Sequence, residues 1–230
     1  KGTVASDSDL IAELISLDIS TKQIEDLDDP MKSALQGVLS KLSGAFSLVF
    51  CDQNRIIGVR DPNGFRPLCL GRLDGGWVLA SETAALDVIG ANFIREIDPG
   101  EMIIIDEEGC SSFFPFIEDQ IDPRICLFEF VYFARPDSYL YGQSVHKARV
   151  KMGKALAKQA PVEADLVMGV PESGIPAAEG FARESGIPFG QGLVKNRYIG
   201  RSFIAPTQEM RSSTVRMKLN PLNENIKDQK

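Results

Sequence analysis

Apolar positions along this chain recur with two different periods. Near the start, Leu10, Ile11, Leu14 and Ile15 have the spacing of an amphipathic helix that Asp7 or Ser8 can cap. A second stripe runs Leu35, Val38, Leu39 and Leu42. The spacing then shortens to β-rich runs at 45–51, 55–59, 68–71, 77–80, 93–97 and 102–105. Asp52-Gln53-Asn54, Asp74-Gly75-Gly76 and Asp98-Pro99-Gly100 separate some of these runs and supply the residues that tight turns require. The pattern predicts an antiparallel sheet faced by helices.

From Cys126 onward helix and strand patterns alternate. Val145, Ala148, Met152 and Leu156 mark a helix over 145–159, and 164–170 reads as a short apolar strand. Pro171-Glu172-Ser173-Gly174 breaks that strand, Pro176 suits the first turn of a helix over 177–184, and Gly186-Ile187-Pro188 ends it before a strand at 189–194. This is a βαβ unit and predicts a parallel sheet. The polar stretch 118–124, with Pro123, reads as a connection, so the expected division is 1–117, a linker at 118–125, and 126–230. There is no internal repeat or low-complexity tract.

Composition narrows the function classes. The 230 residues, 43% hydrophobic, suffice for one large or two ordinary domains. A net charge of -7 with a pI near 4.9 argues against general attraction to nucleic acid or an anionic membrane. No apolar run approaches the roughly 20 residues that span a bilayer, and the first residues have no signal-peptide core, so a soluble cytoplasmic protein is expected. Cys51, Cys69, Cys110 and Cys126 lack a CxxC spacing and are expected to be buried thiols, not a zinc site or disulfide framework. Residue 1 is Lys and a helix begins almost at once, which reads as a chain cut at that end.

Anion chemistry has two candidate locations. In a βαβ unit the strand's carboxyl end and the next helix's amino end gather unpaired amides and a favourable dipole, and Ser173 lies at that junction. Its hydroxyl either caps the helix or touches a metal-bound phosphate; Glu172 beside it disfavours bare phosphate unless a cation mediates. The second location is the basic, aromatic run from Lys195 to Ile204, with Arg211, Arg216 and Lys218 following. It suits either a phosphate-gripping loop hinged at Gly200, or a solvated basic face or salt-bridged subunit contact. His146, the single histidine, reads as a surface or capped residue, and Arg60 to Pro67 as a buried ion-paired turn.

Taken together, RDPNGFRPL (60–68), ASETAALD (80–87), CLFEFVYFARPDS (126–138), VPES (170–173) and KNRYIGRSFI (195–204) resemble, in order, the amidophosphoribosyltransferases. The resemblance covers nearly the whole chain. It implies the carboxyl part of an αββα glutaminase domain of the N-terminal-nucleophile hydrolase type, then the first part of a type I phosphoribosyltransferase domain with a parallel sheet. The implied reaction converts glutamine, phosphoribosyl pyrophosphate and water to phosphoribosylamine, glutamate and pyrophosphate, the first committed step of purine synthesis. Magnesium, a homotetramer and feedback by purine nucleotides are implied with it.

Position by position, the resemblance places Asp7 on the glutamine amino group and Ser173 on magnesium beside phosphoribosyl pyrophosphate. Lys195, Arg197, Tyr198 and Arg201 fall on the loop that closes over that substrate. Tyr132 falls in the segment that meets the domain interface and ammonia channel. Cys126 matches the first thiolate of a 4Fe-4S cluster found in one branch, whose other ligands would follow Lys230. A cluster of this kind needs four thiolates.

The family's nucleophile, an amino-terminal cysteine, has no counterpart at Lys1, and Cys51, inside a predicted strand, is no substitute. The acidic, glycine-containing fingerprint expected soon after Leu222 is likewise not reached. The expectation is an enzyme whose two sites are completed by flanking sequence, with no turnover from these 230 residues alone. Two other classes fit less of the chain: a regulator that senses phosphoribosyl pyrophosphate without catalysis, and a scaffold that keeps only the fold.

Overall fold

The computed structural model describes residues 6–21, 29–200 and 206–230, and the chain divides into two compact units, Lys1–Cys126 and Leu127–Lys230.

In the first unit, helices α1 (Asp7–Thr21) and α2 (Pro30–Leu39) precede seven strands: β1 (Ser47–Cys51), β2 (Ile56–Arg60), β3 (Cys69–Leu73), β4 (Gly76–Ala80), β5 (Asn92–Glu96), β6 (Met102–Asp106) and β7 (Gly109–Phe113). A short helix, α3 (Thr83–Ile89), stands between β4 and β5. All pairings are antiparallel, in a four-stranded sheet of order β1-β2-β6-β7 and a three-stranded sheet of order β4-β3-β5. Alternation along the strands sets the layers. Ile57, Val59, Met102 and Ile104 pack with Ile15, Leu35, Val38 and Leu39 of the two helices. Ile103 joins Leu68, Leu70 and Ile97, tying the sheets to each other. Cys69 on the far face meets Leu86 of α3. The unit is therefore stacked as helices, sheet, sheet and helix.

Several local expectations change. The cap of α1 is Ser6, whose hydroxyl accepts the Asp9 amide at 3.2 Å, and not Asp7 or Ser8. Helix α3 and strand β7 were not foreseen: α3 is only two turns long, and Gly109-Cys110-Ser111-Ser112-Phe113 has no apolar alternation. Only Cys69 is buried among the cysteines, because the outward positions of edge strand β1 expose Cys51, and Cys110 and Cys126 are half-buried. Arg60 is buried as expected, but carbonyls hold it more closely than carboxylates. It donates to Arg66 O, Ile97 O and Gly64 O at 3.0, 2.6 and 2.8 Å, while Glu96 stands 3.8 Å away. The neighbouring turn also pins the polar stretch that follows: Asn63 donates to Asp122 O at 2.8 Å, and the Arg124 amide to Asn63 O at 2.7 Å.

The second unit opens with a π-helical turn, Glu129–Phe133, then the small strands β8 (Tyr139–Leu140) and β9 (Gln143–Ser144). Helices α4 (Val145–Gln159) and α5 (Ile175–Ser185) follow, then β10 (Leu193–Lys195), α6 (Gln208–Lys218), β11 (Leu219–Pro221) and α7 (Asn223–Ile226). The buried face of α4 is Val145, Arg149, Gly153 and Ala157, not the stripe of Met152 and Leu156, which are 36% and 52% exposed. The reason is the α4–α5 contact. A Cβ on Gly153 would lie 1.8 Å from Ala177 O, and one on Gly180 would lie 2.0 Å from Val150 O, so the two backbones touch and large side chains are turned away.

Parallel pairing in this unit is one bridge, Val167 to Phe189, on either side of α5, and no ladder forms over 164–170 among the described residues. The crossover is nevertheless the expected βαβ path. Beyond it, β10 pairs antiparallel with β11, and α6 rides on the excursion between them. No described helix is long and apolar enough to cross a membrane.

Candidate functional site

In the second unit the chain turns back on itself at 170–175. The Gly174 amide donates to Val170 O at 3.2 Å and the Ile175 amide to Glu172 O at 3.3 Å; the Pro171–Glu172 peptide is cis. Close packing makes this turn depend on small residues, since a Cβ on Gly169 would sit 2.7 Å from Ile175 Cα. Helix α5 is capped by the Gly174 backbone with no side-chain cap. Ser173 therefore does not serve as the cap, and its hydroxyl makes no hydrogen bond among the described residues. A cavity of about 250 Å³ opens beside the turn, lined in part by Gly169, Pro171, Ile175 and Gln191.

The basic run meets this turn. Lys195, the last residue of β10, extends its Nζ to within 3.4 Å of Glu172 Oε2. Asn196 then anchors the excursion: its amide donates to Lys218 O at 2.7 Å and its side chain to Met217 O at 3.3 Å. Lys218 Nζ reaches Gly200 O at 2.9 Å. Arg197 and Tyr198 point outward, Tyr198 almost fully exposed at 97%, and Arg197 has no ion pair among the described residues. Arg201 lies outside the described residues. Sequence spacing alone does not bring Lys195 to Glu172, beside Ser173; the bend at 171–174 and the β10–β11 pairing do.

Tyr132 lies in the π-helical turn, half exposed, with its ring 4.3 Å from Phe133 and 6.0 Å from Phe128, centroid to centroid. A residue not singled out in the sequence holds that turn. The buried Arg149 donates from Nε to Phe130 O at 2.7 Å and from Nη2 to Ala134 O at 2.8 Å. The periodicity gave no signal for it, because the expected stripe of Val145, Ala148, Met152 and Leu156 leaves Arg149 out. His146, near the start of that helix, is exposed with Nε2 3.9 Å from Glu179 Oε2.

In the first unit Asp7 is the first residue of α1 and exposed, relieved of capping by Ser6. Two buttresses hold this unit's charges. Arg55 donates to both Asp29 oxygens at 2.5 and 2.8 Å, and its hydrogen bonds hold the Asp29 carboxyl below its ordinary range. Burial works to raise the pKa of Glu101, but donation from Arg95, Ser112 Oγ and the Asp98 amide outweighs it, leaving the carboxyl below its usual value.

Ser173 and Glu172 offer a hydroxyl and a carboxylate, suitable hard oxygens but far fewer than six, which fits magnesium that arrives with a phosphate ligand and its waters. Among the described residues no three His, Cys, Asp or Glu side chains converge on a metal-sized space. Cys51, Cys69 and Cys110 lie on β1, β3 and β7, so no set of thiolates around Cys126 for an iron-sulfur cluster is brought together.

Comparison with known proteins agrees with the order of motifs. A family model for the glutamine amidotransferase domain matches residues 1–88. The amidophosphoribosyltransferase of Mycobacterium tuberculosis is 52% identical over 222 residues, 96% of this chain and 40% of that protein. That of Synechococcus elongatus is 46% identical over 226 residues, 96% of this chain and 44% of that protein. A solved structure of glutamine phosphoribosylpyrophosphate amidotransferase from B. subtilis, complexed with ADP and GMP, superposes with a TM-score of 0.84 at 41% identity, covering all of this chain and 48% of that one. A second, described as the allosteric regulatory enzyme of purine biosynthesis, gives 0.83. The chain thus spans about 40% of the first curated relatives' length. The chain is therefore similar along 96% of its residues to amidophosphoribosyltransferases, and it shares the fold of the solved ones over its whole length.

Proposed function

We propose that this chain, within its full-length protein, contributes the glutamine-recognition helix and the phosphate-gripping half of an amidophosphoribosyltransferase. Glutamine hydrolysis releases ammonia, which displaces pyrophosphate at C1 of phosphoribosyl pyrophosphate to give phosphoribosylamine, the opening commitment of purine synthesis. The observation that carries this reading is the meeting of Lys195 with the Ser173 turn, through Glu172 at 3.4 Å. A substrate with a pyrophosphate group would lie between an unengaged hydroxyl, the amino end of α5 and a cation-bearing excursion.

Asp7 would take the glutamine ammonium, being a carboxylate with no capping duty. Ser173 would hold magnesium against the pyrophosphate, and that ion would offset charge on the departing group. Lys195, Arg197, Tyr198 and Arg201 would close over the substrate, excluding water from the ammonia acceptor. Tyr132, on its Arg149-braced turn, would line the ammonia route or the domain interface. Cys126 would ligate iron only if three further thiolates were supplied from elsewhere. Purine nucleotides as inhibitors, a homotetramer and a cytoplasmic location belong to the same reading; binding of ADP and GMP by the B. subtilis neighbour supports the first.

The test is to assay the full-length protein separately for glutamine hydrolysis and for pyrophosphate release that depends on phosphoribosyl pyrophosphate. Both activities, coupled, are expected. Binding of phosphoribosyl pyrophosphate with neither activity would instead make the protein a sensor of that metabolite.

A further inference from the structure

Glu172 is out of place beside an anion site. Its carboxylate is 65% exposed and, among the described residues, has Lys195 Nζ at 3.4 Å as its one ion-pair partner. Both backbones are fixed: Lys195 pairs with Leu219 across β10–β11, and the Glu172 carbonyl accepts the Ile175 amide. The two side chains alone are therefore free to exchange partners, over a pair exposed enough to break readily.

We propose that Glu172 is a positioning residue for Lys195, one that holds the ammonium at the Ser173 turn and competes with a diphosphate for it. This rests on the anion-site reading given above. With the site empty of anion, the pair leaves no net positive charge at the turn and keeps the lysine stem directed at it. When a diphosphate arrives, its several oxygens outbid one exposed carboxylate, Lys195 transfers to the phosphate, and Glu172 is released toward water. The pair thereby favours multiply charged phosphates over singly charged anions, which gain too little to displace the carboxylate.

The test uses the full-length protein and inorganic pyrophosphate at fixed magnesium, titrated calorimetrically into wild type, Glu172→Gln, Lys195→Gln and the double variant. Glu172→Gln should bind about two- to fivefold more tightly, the range an exposed ion pair contributes. Lys195→Gln should bind at least about tenfold more weakly. The gain from Glu172→Gln should vanish in the Lys195→Gln background, a non-additivity that simple charge repulsion would not produce. Equal gains in both backgrounds, or no gain in Glu172→Gln, would overturn the competition while leaving the anion site standing. Wild type that binds no pyrophosphate would overturn the anion site and the competition together. Lys195→Arg, which keeps the charge, guards against a folding defect in the glutamine variant and should retain sensitivity to Glu172→Gln.

Discussion

Lys195 and Glu172 stand 23 positions apart in sequence and 3.4 Å apart in space, and this contact joins the basic excursion to the Ser173 turn. Two residues beyond it, Arg197 is exposed and without an ion pair among the described residues, the condition of a side chain kept for a ligand. Arg197→Ala in the full-length protein should lower kcat/KM for phosphoribosyl pyrophosphate about ten- to a hundredfold, the loss of one charge-assisted contact of roughly 1.5 to 3 kcal/mol. Glutamine hydrolysis should continue. Steady-state kinetics of the two half-reactions will show this, and unchanged transferase kinetics would remove Arg197 from the site.

The turn itself should tolerate no added methyl group. Gly169→Ala places a Cβ against Ile175 Cα at 2.7 Å, so 170–175 must shift. Loss of pyrophosphate affinity with glutaminase activity retained is the expected outcome. An alanine variant with native affinity would show that the turn has slack not visible in its geometry.

Helices α4 and α5 should separate on an equally small change. Gly180→Ala or Gly153→Ala forces backbone apart at a contact without side chains, and should destabilise the second unit by about 3 kcal/mol, the upper end for overpacking. Denaturant unfolding of the full-length protein measures it. A shift under about 0.5 kcal/mol would mean that the helices are not held at this distance.

Acid should loosen the first unit through Glu101. Its folded pKa lies below the ordinary carboxylate value, so its stabilisation is complete above that value and lost as pH falls through the folded one. Arg95→Ala should cost about 1.5 to 3 kcal/mol near neutrality, with the difference from wild type shrinking toward pH 3. Urea midpoints of both proteins at the two pH values decide it; a gap independent of pH would assign the Arg95 contribution to packing instead.

Thiol chemistry should sort the cysteines by layer. Cys51 is exposed on an edge strand, whereas Cys69 lies between β3 and α3 with its thiol pushed up to about 11, chiefly by burial. Mass-spectrometric mapping after brief alkylation should find Cys51 modified and Cys69 protected until the protein is unfolded. Early labelling of Cys69 would contradict the packing of α3 on its sheet.

Much of the architecture was written in local pattern. The stripe of Leu35, Val38 and Leu39, the alternation through 102–105 and the breaks at Pro171 and Gly186 each act within a few residues. They predict helix, strand and turn without knowledge of neighbours. Where a local signal was faint, as in the short α3 or the polar β7, the element formed because a sheet face or edge was waiting for it.

The sequence by itself determined the two opening helices, six strands of the first unit and the helices on either side of the Ser173 turn, the change from antiparallel to βαβ organisation near Cys126, and the family that the ordered motifs resemble. Only the tertiary structure decided which face of α4 is inward. Backbone contact at Gly153 and Gly180 outweighs the hydrophobicity of Met152 and Leu156, and periodicity does not report so close an approach. It likewise decided that Ser173 is not a cap, that Arg149 braces the Tyr132 turn, and that Glu172 meets Lys195. Each of these depends on where the chain returns after a bend, and pairing at long sequence separation leaves no mark in local spacing.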